Sequence, residues 1–132
     1  MNSQDRTISF IQFQLPAIAW CFFIFVASSI PMAKLPALEN YSDKFVHAGV
    51  FSILAWLIHV ALFHQGNQFL RRYSLLITVL FVVLYGISDE FHQLFTPGRS
   101  TDPYDVMADT FGGLMYVAVN LSFKFYRNEQ SE

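Results

Sequence analysis

The sequence predicts an all-α polytopic membrane protein, with four transmembrane helices in one bundle and both termini cytoplasmic. Three observations carry that expectation. Apolar residues make up 54 % of the chain and charged residues only 14 %, against about 25 % charge in soluble domains. Fifteen Phe stand among 132 residues, more than a water-soluble core of this size needs. Four apolar segments are each long enough to cross a bilayer, which takes about 20 helical residues at 1.5 Å rise. Length leaves room for one domain, residues 1–132.

The first span is expected over residues 10–30, ended by Pro31 and Pro36. The uncharged run over residues 7–33 is too long for a secretory signal, whose apolar region holds about 7–15 residues. It therefore reads as a retained helix. Its lone Cys21 follows Trp20, where lipoprotein processing needs a small residue, so Cys21 reads as a packing or lipid-facing side chain. The second span is expected over residues 43–63, with Ser42 placed to cap it. The third, over 73–95, stops at Thr96-Pro97-Gly98. The fourth, over 103–125, has Asp102 as its cap and Pro103 in the first turn, where proline is tolerated.

Four spans place both termini and the loop over residues 64–72 on one side. That side holds Arg6, Arg71, Arg72, Lys124 and Arg127, and the other holds Lys34, Lys44 and Arg99. The excess of basic residues marks the first side as cytoplasmic. Acidic residues are divided the other way. Asp5, Glu129 and Glu132 lie on the cytoplasmic side; Glu39, Asp43, Asp89, Glu90, Asp102, Asp105 and Asp109 lie on, or dip in from, the outer side. Acids set topology only weakly, so this asymmetry asks for another cause.

On the third span Tyr85, Asp89 and Gln93 recur every four residues and share a face, which His92 can join. Glu90 points about 100° away from Asp89, so the two carboxylates need not meet the same partner. Asp89 sits about 12 Å below the Pro97 end, deep for an ion in a membrane, and such groups usually face the bundle interior and mark function. On the fourth span Asp105 and Asp109 are four apart, with Gly112, Gly113 and Tyr116 continuing the stripe. Acids suit a helix N-terminus, so Asp102 and Asp105 could serve only as caps; Asp109 lies too deep for that. Ala108 and Gly112 form a small-residue pair that reads as helix packing. On the second span His47 can reach Asp43, with Lys44 beside it. His59 and His64, toward the opposite end, read as interfacial.

Arg99, in the turn Pro97-Gly98-Arg99-Ser100, can present a guanidinium to a phosphate or neutralise nearby acids. Bundle packing would gather six acids, Asp43, Asp89, Glu90, Asp102, Asp105 and Asp109, against the fixed charges of Lys44 and Arg99. Like charges held close in low dielectric cannot all stay ionised. Protonated acids, cationic His47 and His92, or a bound divalent cation would each resolve the conflict, and oxygen-rich sites suit Mg²⁺ or Ca²⁺. The sequence leaves these alternatives open.

At these residues the chain resembles the VanZ-like family of bacterial membrane proteins. Asp43-Lys44-x-x-His47-x-x-x-Phe51 is similar to the family's D-K-x-x-H-x-x-x-[FY]; Glu90-x-x-Gln93 with Pro97-Gly98-Arg99 is similar to E-x-x-Q then P-G-R. Asp105-x-x-x-Asp109-x-x-Gly112 is similar to D-x-x-x-N-x-x-G, with Asp109 where Asn is usual. The resemblance implies a multi-pass membrane protein and favours Glu90 over Asp89. The founding member is associated with low-level resistance to teicoplanin, a drug acting outside the cytoplasmic membrane.

Together these readings lead to an outward-facing polar site in the cytoplasmic membrane. His47, Glu90 and Asp109 are its candidate catalytic groups; Asp43, Lys44, Asp89, Gln93, Arg99 and Asp105 are its candidate binding groups. The expected partners are membrane lipids, among them a phosphate-bearing envelope lipid or cell-wall precursor, with a divalent cation as one candidate cofactor. Binding or transport of a head group or cation without chemistry, in an oligomer, is the alternative, and a structural envelope partner is the third. Nothing resembles a nucleotide cradle, a thiolate metal site or a nucleic-acid surface.

Overall fold

The computed structural model describes residues 9–31, 33 and 42–129. Among them the ordered elements are all helical. A π-helical turn, Phe10–Gln14, leads into α1 (Leu15–Ser28); α2 (Ser42–Phe63), the short α3 (Gln68–Arg72), α4 (Ser74–Gln93) and α5 (Pro103–Glu129) follow. Four stretches are long and apolar enough to cross a membrane: Phe10–Ser28, Asp43–Phe63, Ser74–Gln93 and Pro103–Asn128. The expected spans are present, with shifted ends. The first stops at Ser28, and the fourth runs past residue 125 to Glu129. The connection holding Lys34, Pro36 and Glu39 and the side chain of Ser42 lie outside the described residues, as do Asp5, Arg6 and Glu132.

Side-chain bonds between helices define their directions. Trp20 Nε1–H donates to the Val50 carbonyl at 3.1 Å and Gln14 Nε2–H to the Ala61 carbonyl at 3.4 Å, so α1 and α2 run antiparallel. The Tyr85 hydroxyl donates to the Cys21 carbonyl at 2.6 Å and the Thr96 hydroxyl to the Ser28 carbonyl at 3.2 Å, so α1 and α4 run parallel. Each bond reaches a backbone carbonyl across apolar surroundings, where an unpaired N–H or O–H would be costly. Residues 9 and 129 therefore lie at one end of the bundle, beside α3. That short helix is capped by Asn67, whose side chain accepts the Phe69 N–H at 2.9 Å.

The most extensive packing is between α2 and α5. A Cβ added at Gly112 would collide with the Ala48 carbonyl oxygen and lie 2.8 Å from its carbonyl carbon. Only glycine permits this approach, which bears out the packing role expected of Gly112. One position on, a Cβ at Gly113 would lie 2.9 Å from Val82 Cγ1 on α4. The buried apolar cluster is small: Ile24, Phe51, Leu54, Ala55 and Val82, with Cys21 half-buried against it. Meanwhile Phe22, Phe45, Leu84, Phe91 and Phe111 are all at least 60 % exposed. Apolar side chains facing outward around buried polar ones reverse the order of a soluble domain, as a lipid solvent requires.

Candidate functional site

The N-terminal ends of α2 and α5 and the C-terminal end of α4 bring the three motifs together. Helical spacing puts Asp43, Lys44 and His47 within the first turns of α2, facing the start of α5. Lys44 Nζ pairs with Asp102 at 2.5 Å, with Asp105, and with Asp43 at 3.5 Å. One ammonium thus serves three carboxylates, and the side chain of Asp105 is only 10 % exposed. Asp102 does two further things. Its Oδ1 accepts the Tyr104 N–H at 2.9 Å, capping α5 as expected. Its backbone N–H donates to Glu90 Oε2 at 2.8 Å, tying the α4–α5 connection to the site. The Lys44 hydrogen bond, assisted by the Tyr104 N–H, holds the Asp102 carboxyl below the usual carboxylate range.

His47 does not turn to Asp43 as the sequence suggested. Its Nδ1 lies 2.9 Å from Asp109 Oδ1, and its Nε2 lies 3.9 Å from Asp105 Oδ2. The crossing of α2 over α5 at Gly112 rotates His47 toward α5, away from its own helix. Asp109 is fully buried. Its second oxygen, Oδ2, has no protein partner among the described residues and rests against α4 at Gly86, where a Cβ would come within 2.9 Å of it. Gly86 is the residue sequence reasoning missed. Its signal was present: a helix-weakening glycine one turn below Asp89 and Glu90.

On α4, Asp89, Glu90 and Gln93 are buried. Although they point about 100° apart, the two acids share one partner. Gln93 Nε2–H donates to both Asp89 Oδ2 and Glu90 Oε1, at 3.1 Å each. A glutamine three and four residues on can straddle both carboxylates because its amide reaches between their two directions. His92 is corrected: it leaves the acidic face, meets Ser29 Oγ at 2.9 Å and stacks on Phe25 at 4.3 Å. Tyr85 is likewise spent on the Cys21 carbonyl rather than on the acids.

Arg99 is placed by a tight turn. Gly98 has φ 76°, and the Arg99 N–H donates to the Thr96 carbonyl at 3.1 Å. Pro97 and a left-handed glycine are the residues a type II turn selects. The guanidinium reaches the Ile30 carbonyl at 3.3 Å, the Ala27 carbonyl at 3.4 Å and Gln93 Oε1 at 3.4 Å. It caps the end of α1. Among the described residues it forms no ion pair, so its charge is not consumed by the acids.

A cavity of about 270 Å³ lies between α1, α2 and α4. Phe23, Ile24, Val46 and Val50 line its apolar flank, while His47, Asp89, Gln93 and Arg99 reach it from the polar end. Glu90, Asp105 and Asp109 stand behind that surface as partners of Gln93, Lys44 and His47. Among the described residues no three His, Cys, Asp or Glu side chains are arranged to hold a metal ion. Lys44, His47 and Gln93 engage these carboxylates instead.

No curated protein and no solved structure matches the chain. The family model described as VanZ/LLP1 matches residues 13–124 of 132. That span takes in all four membrane-length helices except their outermost ends, and every residue of the site just described. The chain is a member of the VanZ/LLP1 family.

Proposed function

We propose that the protein performs acid–base chemistry on the head group of a phosphate-bearing envelope lipid or cell-wall precursor, at the outer face of the cytoplasmic membrane. The observation that carries this reading is His47. It is oriented by buried Asp109 at 2.9 Å and presented to a cavity that also holds the guanidinium of Arg99, which forms no ion pair among the described residues. With Nδ1 held by Asp109, Nε2 is the nitrogen left to take a proton from water or a hydroxyl. Arg99 would hold the phosphate, with Gln93 Oε1 steadying it from one side. The apolar flank of the cavity suits a hydrocarbon chain, and its polar end suits the head group. Arg71 and Arg72 at the opposite end of the bundle favour that end as cytoplasmic.

The test uses purified protein in vesicles containing an isoprenoid phosphate or a phospholipid, followed for head-group conversion. Turnover that falls by roughly 10²–10⁴ in His47→Ala supports the reading. Lipid that binds in an Arg99-dependent manner and returns unchanged would replace catalysis with head-group binding. Neither binding nor turnover would remove the reading altogether.

A further inference from the structure

A second polar cluster lies in the other half of the bundle, away from the acids. The sequence pattern suggested an interfacial His59, but the residue is 6 % exposed, and its Nδ1 lies 2.6 Å from the Tyr116 hydroxyl. Asn120 Nδ2–H donates to the same hydroxyl at 3.4 Å. The opposing helix completes the cluster through its register. Gly86 meets Asp109, and Gly113 meets Val82. Both helices advance by four residues between those contacts, in opposite directions. Four residues further, the register brings Thr78 level with Val117, next to Tyr116, and beyond it Ser74 level with Leu121, next to Asn120. Thr78 and Ser74 are buried.

This cluster is incomplete by its own chemistry. His59 Nε2, Thr78 Oγ1 and Asn120 Oδ1 are buried and have no protein partner among the described residues. Helical threonines ordinarily bond back to the carbonyl four residues earlier; Thr78 Oγ1 does not. Three such atoms within about one helical turn of one another along the bundle, drawn from α2, α4 and α5, supply both donors and acceptors. That is the requirement for a buried water, which needs two to four polar partners. Phe51, Leu54 and Val82, each at most 1 % exposed, separate this level from His47 and Asp109. His59 is four residues, or about 6 Å, from the end of α2. The titratable and charged groups nearest to it are Tyr116, Lys124 and His64; α4 contributes only the hydroxyls of Ser74 and Thr78.

We propose that His59, Thr78, Tyr116 and Asn120 form a second site that takes up water and a proton from the basic end of the bundle, independent of the acidic site. His59 Nε2 is the proton-accepting atom; the Tyr116 hydroxyl fixes the ring, and Thr78 and Asn120 hold the water. Solid-state NMR of ¹⁵N-histidine-labelled protein in lipid bilayers tests this between pH 5 and 8, the range in which imidazole charge changes. His59→Asn assigns the signal, and sequential correlations do so if that variant fails to fold. The expected result is polarisation transfer from water to the His59 ring and conversion between neutral and charged signals. Thr78→Val and Asn120→Leu should weaken the transfer about twofold or more by removing water partners, with the His47 signals unmoved. Tyr116→Phe should shift the tautomer or midpoint of His59. A His59 ring that receives nothing from water and keeps one neutral tautomer throughout would overturn the proposal, whatever the outer site does.

Discussion

Replacing Gly112 by alanine perturbs the contact on which the site's geometry depends. The new Cβ would strike the Ala48 carbonyl oxygen and lie 2.8 Å from the carbonyl carbon and 3.0 Å from Cα. Ordinary contact begins at 3.4 Å, so the two helices must open by at least 0.6 Å there. Backbone meets the methyl on the far side, and it cannot rotate away as a side chain could. Overpacking of this kind costs about 1–3 kcal/mol. Alanine returns about 0.8–1.0 kcal/mol of helix propensity. The net expectation is destabilisation by up to about 2 kcal/mol. Gly49, on the same turn of α2 as Ala48, supplies the control: a Cβ there meets nothing within 4 Å. Gly49→Ala should therefore stabilise by about 0.5–1 kcal/mol through propensity alone. Reversible unfolding in mixed micelles, read by tryptophan fluorescence and circular dichroism, measures both. Two alanines with shifts of the same sign would refute the claim that α2 and α5 touch backbone to backbone.

Gly86→Ala should push Asp109 Oδ2, now 2.9 Å from the added Cβ, and lengthen the His47–Asp109 bond; a changed His47 imidazole spectrum checks this, and an unchanged one counts against the seat proposed for Asp109. Asp102 is depressed below its ordinary value, so its share of stability is complete above the unfolded carboxylate range near about pH 4. It is lost as pH falls through the lower folded value. Asp102→Asn should flatten that acid limb of a stability–pH profile, and an unaltered limb would separate Asp102 from it. Trp20→Phe removes the donor to the Val50 carbonyl and should cost about 1 kcal/mol in the same unfolding assay. No loss would mean that this bond adds nothing to the seating of α1 on α2.

The membrane class, the four spans and the end of the bundle at which the acids gather were legible in the sequence because they depend on length, composition and helical rise. Each is a sum along one helix. Asp43, Lys44, His47, Asp89, Glu90, Gln93, Arg99, Asp105 and Asp109 could be placed at one level by counting residues from the span ends. The cap at Asp102 and the glycine turn at Gly98 were legible for the same reason, since each is a local backbone requirement.

Pairing was not legible, because it depends on how far each helix is rotated and where it crosses its neighbours. His47 meets Asp109 rather than Asp43 because α2 and α5 close at Ala48 and Gly112. His92 shares a helical quarter with Asp89 in projection, yet α1 offers it Ser29 and Phe25. His59 lies one turn from a span end, where position alone suggests an interface, yet Tyr116 on α5 meets it inside the bundle. The sequence alone determined that this chain lives in lipid with an acidic end. The tertiary structure decided which proton-bearing groups touch, because a helix's composition sets its depth in the membrane but only its neighbours set the direction in which each side chain points.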